Sequence, residues 1–210
     1  MYYPIYIKIK NQKCLIVGAG RVALRKAGTL LNGGAEITVV APEAIDEIIQ
    51  LKNDGKLSLH LRKYRSPEVT DYNIVISASD DENVNRAVAG DCFKYKIPVN
   101  VVDRPELCSF IVPAIVRRND ITIAISTGGK APFLAKQIRK DLDKTLPRFW
   151  DDLSKIAGVF REKVMERYGD DSASKSRCFE RFFAIDWQKL IDDGDEDAIE
   201  RNINHLLEGE

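Results

Sequence analysis

The chain has 210 residues, 44% of them hydrophobic and 30% charged, a composition that suits one sizeable globular domain or a compact pair and excludes a disordered protein. Its 32 basic and 32 acidic residues cancel, so no global field recruits nucleic acid or an anionic membrane surface. No apolar run reaches the length of a membrane span, and Met1 to Lys10 lacks the basic start, apolar core and cleavage site of a signal peptide.

Residues 13–18 (KCLIVG) form a short apolar run that stops at glycine, as a buried parallel strand does. Arg21 to Asn32 places Val22, Ala23, Ala27, Leu30 and Leu31 at helical spacing, and Gly33-Gly34 ends it. Glu36 to Val40 reads as the next strand, stopped by Ala41-Pro42. Ala44 to Leu51 is expected to be helical, with Ile45, Ile48 and Ile49 on one face. Leu57, Leu59 and Leu61 alternate with Ser58, His60 and Arg62, the pattern of a half-exposed strand with His60 on its polar side. Asn73 to Ser77 is a buried strand, Val84 to Tyr95 a helix, and Val99 to Val102 a further strand. Strands alternating with helices across short turns specify an α/β fold, a Rossmann-like doubly wound parallel sheet.

After Val102 the pattern changes. Phe110 to Val116 and Ile121 to Ser126 read as an antiparallel strand pair turning at Arg118-Asn119-Asp120, outside the main sheet. From Ala131 the chain is helical, with one stripe at Leu134, Ile138 and Leu142 and another at Leu153, Ile156, Val159, Phe160 and Val164. The tail, roughly 172–207, adds short helices with acidic turns. These shifts divide the chain into a nucleotide domain over 1–113, a strand-pair region over 114–148 and a C-terminal helical region over 149–210. The four cysteines, Cys14, Cys92, Cys108 and Cys178, are scattered without a C-x-x-C pair, so free thiols in a reducing, cytoplasmic compartment are expected.

Gly18-Ala19-Gly20-Arg21-Val22-Ala23 is a G-x-G-x-x-A between a strand and a helix. Gly18 permits the tight turn, Gly20 lets a pyrophosphate approach the backbone, and Ala23 keeps the helix close to the sheet. The helix N-terminus then offers its amides and its dipole to the phosphates. Many such sheets end the second strand on an acid that bonds the adenine ribose. Here Ala41 holds that position, followed by Pro42 and Glu43, and either Glu43 or backbone groups would take that role. No arginine follows directly to welcome a 2′-phosphate, which favours NAD over NADP. Ser77-Ala78-Ser79-Asp80, at the end of another strand, is the next place to touch a cofactor, through Ala78 and Asp80.

Asp103 ends Asn100-Val101-Val102-Asp103 and is expected at the carboxyl edge of the sheet beside the cofactor crevice. Two stretches follow it: Cys108-Ser109-Phe110-Ile111-Val112-Pro113-Ala114, and Ile125-Ser126-Thr127-Gly128-Gly129-Lys130-Ala131-Pro132. The second resembles an anion-holding turn at a helix start, since Pro132 suits a first helical turn.

The ordered motifs GAGRVALRKAGTLL, VVAPE, SASDDENVN, NVVDRPELCSFIVPAI and ISTGGKAPFLAKQIR resemble the precorrin-2 dehydrogenase and siroheme synthase N-terminal family, from about Tyr3 to Leu146. The chain is similar in length to members without an attached methyltransferase domain, so a stand-alone form is expected. The resemblance implies oxidation of precorrin-2 to sirohydrochlorin with NAD as hydride acceptor. In some members ferrous iron is then inserted to give siroheme. It implies that Asp103 is the acid/base group for both steps, that Arg21, Val22, Pro42 and Glu43 contact the cofactor, and that the region after the sheet builds a homodimer. A serine phosphorylated in one branch of the family corresponds here to Thr127. The tetrapyrrole's carboxylate arms require local cations and donors, and Arg104, Ser109, Arg117, Thr127, Gly128 and Lys130 are the candidates. No permanent metal site is expected from two histidines and no cysteine cluster. Because Asp103 serves both activities in the family, its presence does not separate a dehydrogenase alone from a bifunctional enzyme. A non-catalytic NAD-binding sensor is the rival from another class, and nothing in the charge balance supports a nucleic-acid partner.

Overall fold

A computed structural model describes residues 2–208. The chain divides into two compact units, with the division between Val112 and Pro113.

The first unit is built on β1 (Lys13–Val17), β2 (Glu36–Ala41), β3 (Ser58–Leu61), β4 (Ile74–Ser77) and β5 (Val99–Val101). All neighbours run parallel, in the order β3-β2-β1-β4-β5. Three helices complete it: α1 (Arg21–Asn32), α2 (Asp46–Asn53) and α3 (Glu82–Tyr95). β1 and β4 are buried on both faces, which is why they read as unbroken apolar runs rather than as alternations. One face of the sheet carries Ile16, Ile37 and Val39 with Ala23, Ala27 and Leu30 of α1 and Ile48 of α2. The other carries Leu15, Val40, Val75 and Val101 with Val88, Ala89 and Cys92 of α3. The small residues of α1, at i and i+4, bring that helix close to the sheet.

Several expected boundaries shift by one or two residues: β2 ends at Ala41 rather than Val40, β4 starts at Ile74 rather than Asn73, α3 at Glu82 rather than Val84, and β5 ends at Val101 rather than Val102. α2 starts at Asp46 rather than Ala44, because Ile45 stays extended as its N-cap and its amide donates to the carbonyl of Ala19 at 3.1 Å. Leu57 and Leu59 turn inward, but Leu61 is exposed, since β3 is an outer strand with a neighbour on one side only.

The second unit begins with the antiparallel pair β6 (Ala114–Arg118) and β7 (Ile121–Ile125). The expected strand over 110–116 is corrected to Ala114–Arg118. Phe110 is tied back to β5 by its own amide and by the Asn100 side chain, and Pro113 has no N–H to give a ladder. α4 (Pro132–Thr145) packs on this pair, and α5 (Trp150–Tyr168), α6 (Ser172–Phe182), α7 (Trp187–Asp192) and α8 (Glu196–Glu208) follow. Phe160 stacks on Phe182 at 4.9 Å and Phe182 on Trp187 at 4.6 Å, with Val164, Cys178, Ile203 and Leu206 around them. Asp171, Asp186 and Asp195 accept amide hydrogens at the starts of α6, α7 and α8, so the acidic turns read in the sequence are helix caps. Along α4 the structure buries Ala135, while Leu134 and Ile138 of the expected stripe remain exposed. Among the described residues no helix is long and apolar enough to cross a membrane.

Candidate cofactor-binding and active site

β1 and β4 are neighbours, and the chain leaves them toward opposite edges of the sheet. The carboxyl end of this pair is therefore the topological switch point, where ligands of such sheets bind. Two glycines there do different work. Gly18 has φ +106°, and a Cβ on it would lie 2.3 Å from the carbonyl oxygen of Ala78. Its amide donates to Val40 at 2.9 Å, and Ala78 donates to Val17 at 2.7 Å, so the turn is wedged between β2 and β4. Gly20 is in ordinary extended conformation, and a Cβ there would meet nothing within 4 Å.

Gly20 caps α1 with no side-chain hydrogen bond and with no acid in the first turn. The amides of Arg21 and Val22 thus begin a helix whose first turn carries no acid to match its dipole, beside open space at Gly20. That combination fits a dinucleotide pyrophosphate. Arg21 is exposed and Val22 half-buried. The bond between Ile45 and Ala19 ties the turn after β2 to this loop, and Pro42 and Glu43 stand exposed on that turn.

The exit of β4 is held by a buried polar chain. Ser77 donates to Asn85 Oδ1 at 2.7 Å, and Asn85 Nδ2 donates to the carbonyl of Ser79 at 2.9 Å. Asp81 caps α3 by accepting from Asn83 at 2.9 Å, and Asp80 remains exposed at the turn. Asn85→Ala is expected to cost about 1–3 kcal/mol, because it strands the buried Ser77 hydroxyl and frees the Ser79 turn. Urea denaturation would measure this; an unchanged midpoint would refute the role given to Asn85.

Asp103 follows β5 at the same edge, exposed and with φ +58°. A non-glycine residue in this region stores strain, although aspartate bears it better than most. The loop after it is fastened to β5. Ser109 Oγ accepts from Val99 at 2.8 Å, Cys108 Sγ accepts from Val101 at 3.1 Å, and Asn100 Nδ2 donates to the Phe110 carbonyl at 3.1 Å. Burial raises the Cys108 thiol's pKa, so this thiol is a packing and hydrogen-bonding group. The Ser109 hydroxyl is likewise engaged by backbone. Arg104 Nε donates to Glu82 Oε2 at 2.8 Å, an exposed pair that also holds the Glu82 carboxyl below its usual range.

A residue that sequence reasoning passed over lies within electrostatic reach of Asp103. Lys26 of α1 is half-buried, and burial together with Arg25 lowers its pKa, while Cys108 and Asp103 act in the opposite sense. The signal was its place among Ala23, Ala27 and Leu30 on the buried face of α1.

In the second unit, Arg117 is exposed on β6, while Arg118 reaches both the carbonyl and the carboxylate of Asp143. Thr127 Oγ1 accepts from Ala131 at 3.0 Å, and Ser126 Oγ from Gly128 at 3.0 Å. Gly128 and Gly129 have φ +66° and +83°, and Lys130 is exposed before the proline-started α4. Among the described residues no group of histidine, cysteine and acidic side chains is disposed to hold a metal ion.

The family model described as putative NAD(P)-binding matches residues 5–114, just over half of the chain. The chain belongs to this family. A second model, described as sirohaem biosynthesis protein central, matches residues 118–145 of this family member. The siroheme synthase of Psychrobacter cryohalolentis is 47% identical over 77% of the chain and 31% of its own length. That of Nitrosospira multiformis is 35% identical over 100% of the chain and 45% of its own length. The chain thus spans less than half of these curated relatives. Among solved structures, "SirC, precorrin-2 dehydrogenase" superposes with a TM-score of 0.71 at 24% identity, covering 98% of both chains, and shares the fold. The family resemblance carried by the five motifs is borne out.

Proposed function

We propose that the protein is an NAD-dependent dehydrogenase that oxidises precorrin-2 to sirohydrochlorin. The observation that carries this reading is the placement, at one sheet edge, of a helix N-terminus with no side-chain cap and of the exposed carboxylate of Asp103, a residue at positive φ. The siroheme synthase relatives supply the substrate class.

Bound NAD would supply the hydride acceptor. Gly20 and the amides of Arg21 and Val22 would hold its pyrophosphate at the turn that Gly18 permits, Pro42 and Glu43 would meet the adenosine ribose, and Ala78 and Asp80 would stand at the next strand end. In the reaction one C–H bond of the macrocycle breaks with both electrons leaving as hydride. A proton leaves a neighbouring position, and its bonding pair closes the new double bond. Asp103 takes that proton, which balances precorrin-2 and NAD⁺ against sirohydrochlorin, NADH and H⁺. Arg117 and Lys130 are exposed cations of the second unit, of the kind that suits carboxylate arms, and Thr127 and Gly128 shape its glycine turn. Arg104 contributes through its pair with Glu82, and Ser109 through the backbone it fixes.

Insertion of ferrous iron into the product requires two pyrrole protons to leave, and Asp103 would accept these as well; iron is then a second substrate. The protein works in the cytoplasm, where its four unpaired thiols stay reduced. It works as a homodimer, because Phe133 is 78% exposed beside Leu134 and Ile138 on α4, an apolar face that a second copy would cover. Sedimentation at twice 23.7 kDa is expected; a species of single mass would refute it.

An anaerobic absorbance assay tests the activity. With precorrin-2 and NAD the sirohydrochlorin spectrum is expected to appear, and a further enzyme-dependent shift on adding ferrous iron would establish the second step. Tight NADH binding with no turnover would instead favour the sensor reading.

A further inference from the structure

The edge beside β2 carries an ionic pair that the proposed chemistry does not use. Arg62 follows β3, and its amide donates to the carbonyl of Ala41, the last residue of β2, at 2.9 Å. This is the strand end where the adenosine ribose of a dinucleotide lies, and an arginine near it is the group that accommodates a ribose 2′-phosphate. Here the guanidinium is already occupied. Nη1 donates to Glu68 Oε1 at 3.0 Å and to the Lys63 carbonyl at 3.1 Å, and Nη2 donates to Glu68 Oε2 at 2.5 Å. Glu68 opens the 3₁₀ turn Glu68–Asp71 and also accepts the Arg65 amide at 2.7 Å.

The pair is sheltered, with side chains 29% and 17% exposed, whereas the Arg86–Glu82 pair is 63% and 35% exposed. Two-pronged arginine–carboxylate pairs of this kind are the strong ones, and partial burial limits their screening by salt. Burial alone would raise the Glu68 carboxyl's pKa, but the bonds from Arg62 and Arg65 outweigh it and hold the group below its ordinary value. Glu68 therefore stays ionised at neutral pH.

We propose that Glu68 is a specificity-determining residue that excludes 2′-phosphorylated dinucleotides by occupying the Arg62 fork at the end of β2. The inference rests on the dinucleotide reading of the glycine turn and deepens it. A 2′-phosphate arriving there meets a neutralised arginine, and the exposed Glu43 carboxylate lies two residues after Ala41 in the turn that follows β2. A free 2′-hydroxyl asks for no cation and is unaffected.

The test is fluorescence titration of the whole chain with NADPH and NADH, wild type against Glu68→Gln. Glutamine keeps an acceptor for the Arg65 amide and removes the charge. About tenfold tighter NADPH binding is expected, with NADH within about twofold, and Arg62→Ala in the Glu68→Gln background should cancel the gain. Lys63 and Arg65 are present in every variant, so the difference isolates Arg62. Glu68→Asp, which shortens the prong but keeps the charge, serves as a companion should the first variant melt early, and a smaller gain in the same direction is expected. An unchanged NADPH-to-NADH ratio in a folded variant that still binds NADH overturns the proposal and leaves the cofactor site standing. Failure of the wild type to bind NADH overturns both.

Discussion

Asp103→Asn is expected to slow oxidation of precorrin-2 by about 10²–10⁴-fold while NADH affinity and melting temperature stay unchanged. The substitution removes the proposed base and little else. Asp103 is exposed and its backbone sits at φ +58°, a region that asparagine tolerates as well as aspartate does. Alanine at this position would add backbone strain to the loss of the carboxylate, so Asp103→Ala confounds the two effects. The size follows from the step assigned to the group: a positioned general base contributes two to four orders of magnitude, and an amide cannot take a proton at neutral pH. Anaerobic turnover measured beside NADH titration separates chemistry from binding. Full turnover by a folded Asp103→Asn variant would remove Asp103 from the mechanism.

The second large effect distinguishes the two glycines of the turn. Gly20→Asp is expected to weaken NADH binding at least about 100-fold with no loss of stability. Its backbone is ordinary and nothing lies where the new side chain would start. Aspartate is a good helix N-cap, so its carboxylate would accept the first-turn amides and match the dipole of α1, holding or raising the melting temperature. The same carboxylate would fill the place of the pyrophosphate with like charge. Gly18→Ala should behave in the opposite way. Its Cβ would press on the Ala78 carbonyl at 2.3 Å from a positive φ, so a stability loss of more than about 2 kcal/mol is expected. Calorimetric binding and thermal melts on both variants check the contrast. Unaltered NADH affinity in Gly20→Asp would refute the loop as the cofactor's seat.

Much of the first unit was legible because its signals are local. A strand buried on both faces must be apolar throughout, so KCLIV and IVIS announced β1 and β4. The bounds of α1, from Arg21 to Asn32, followed from the flanking glycines and the spacing of Ala23, Ala27 and Leu30. The start of β6 was misread because apolar content extends through Phe110 to Val112, whereas the strand is decided by which backbone groups are free to pair. Asn100 and Val99, distant in sequence, had already taken those of Phe110. The Leu134 and Ile138 stripe was recognised as periodic, but periodicity does not say whether an apolar face is covered by its own chain.

By itself, the sequence determined the order of strands and helices, the glycine turn that opens α1, and the family, since each rests on neighbours within a few residues or on ordered motifs. Only the tertiary structure decided the roles of the residues that meet across the fold. It tied Ser109 and Cys108 to β5, set Asp103 at a positive φ within electrostatic reach of Lys26, and locked Arg62 against Glu68. The physical reason is that a charge or hydroxyl has no fixed role in the sequence. What it does depends on which partner the sheet order brings within about 3 Å of it, and sheet order is a long-range property.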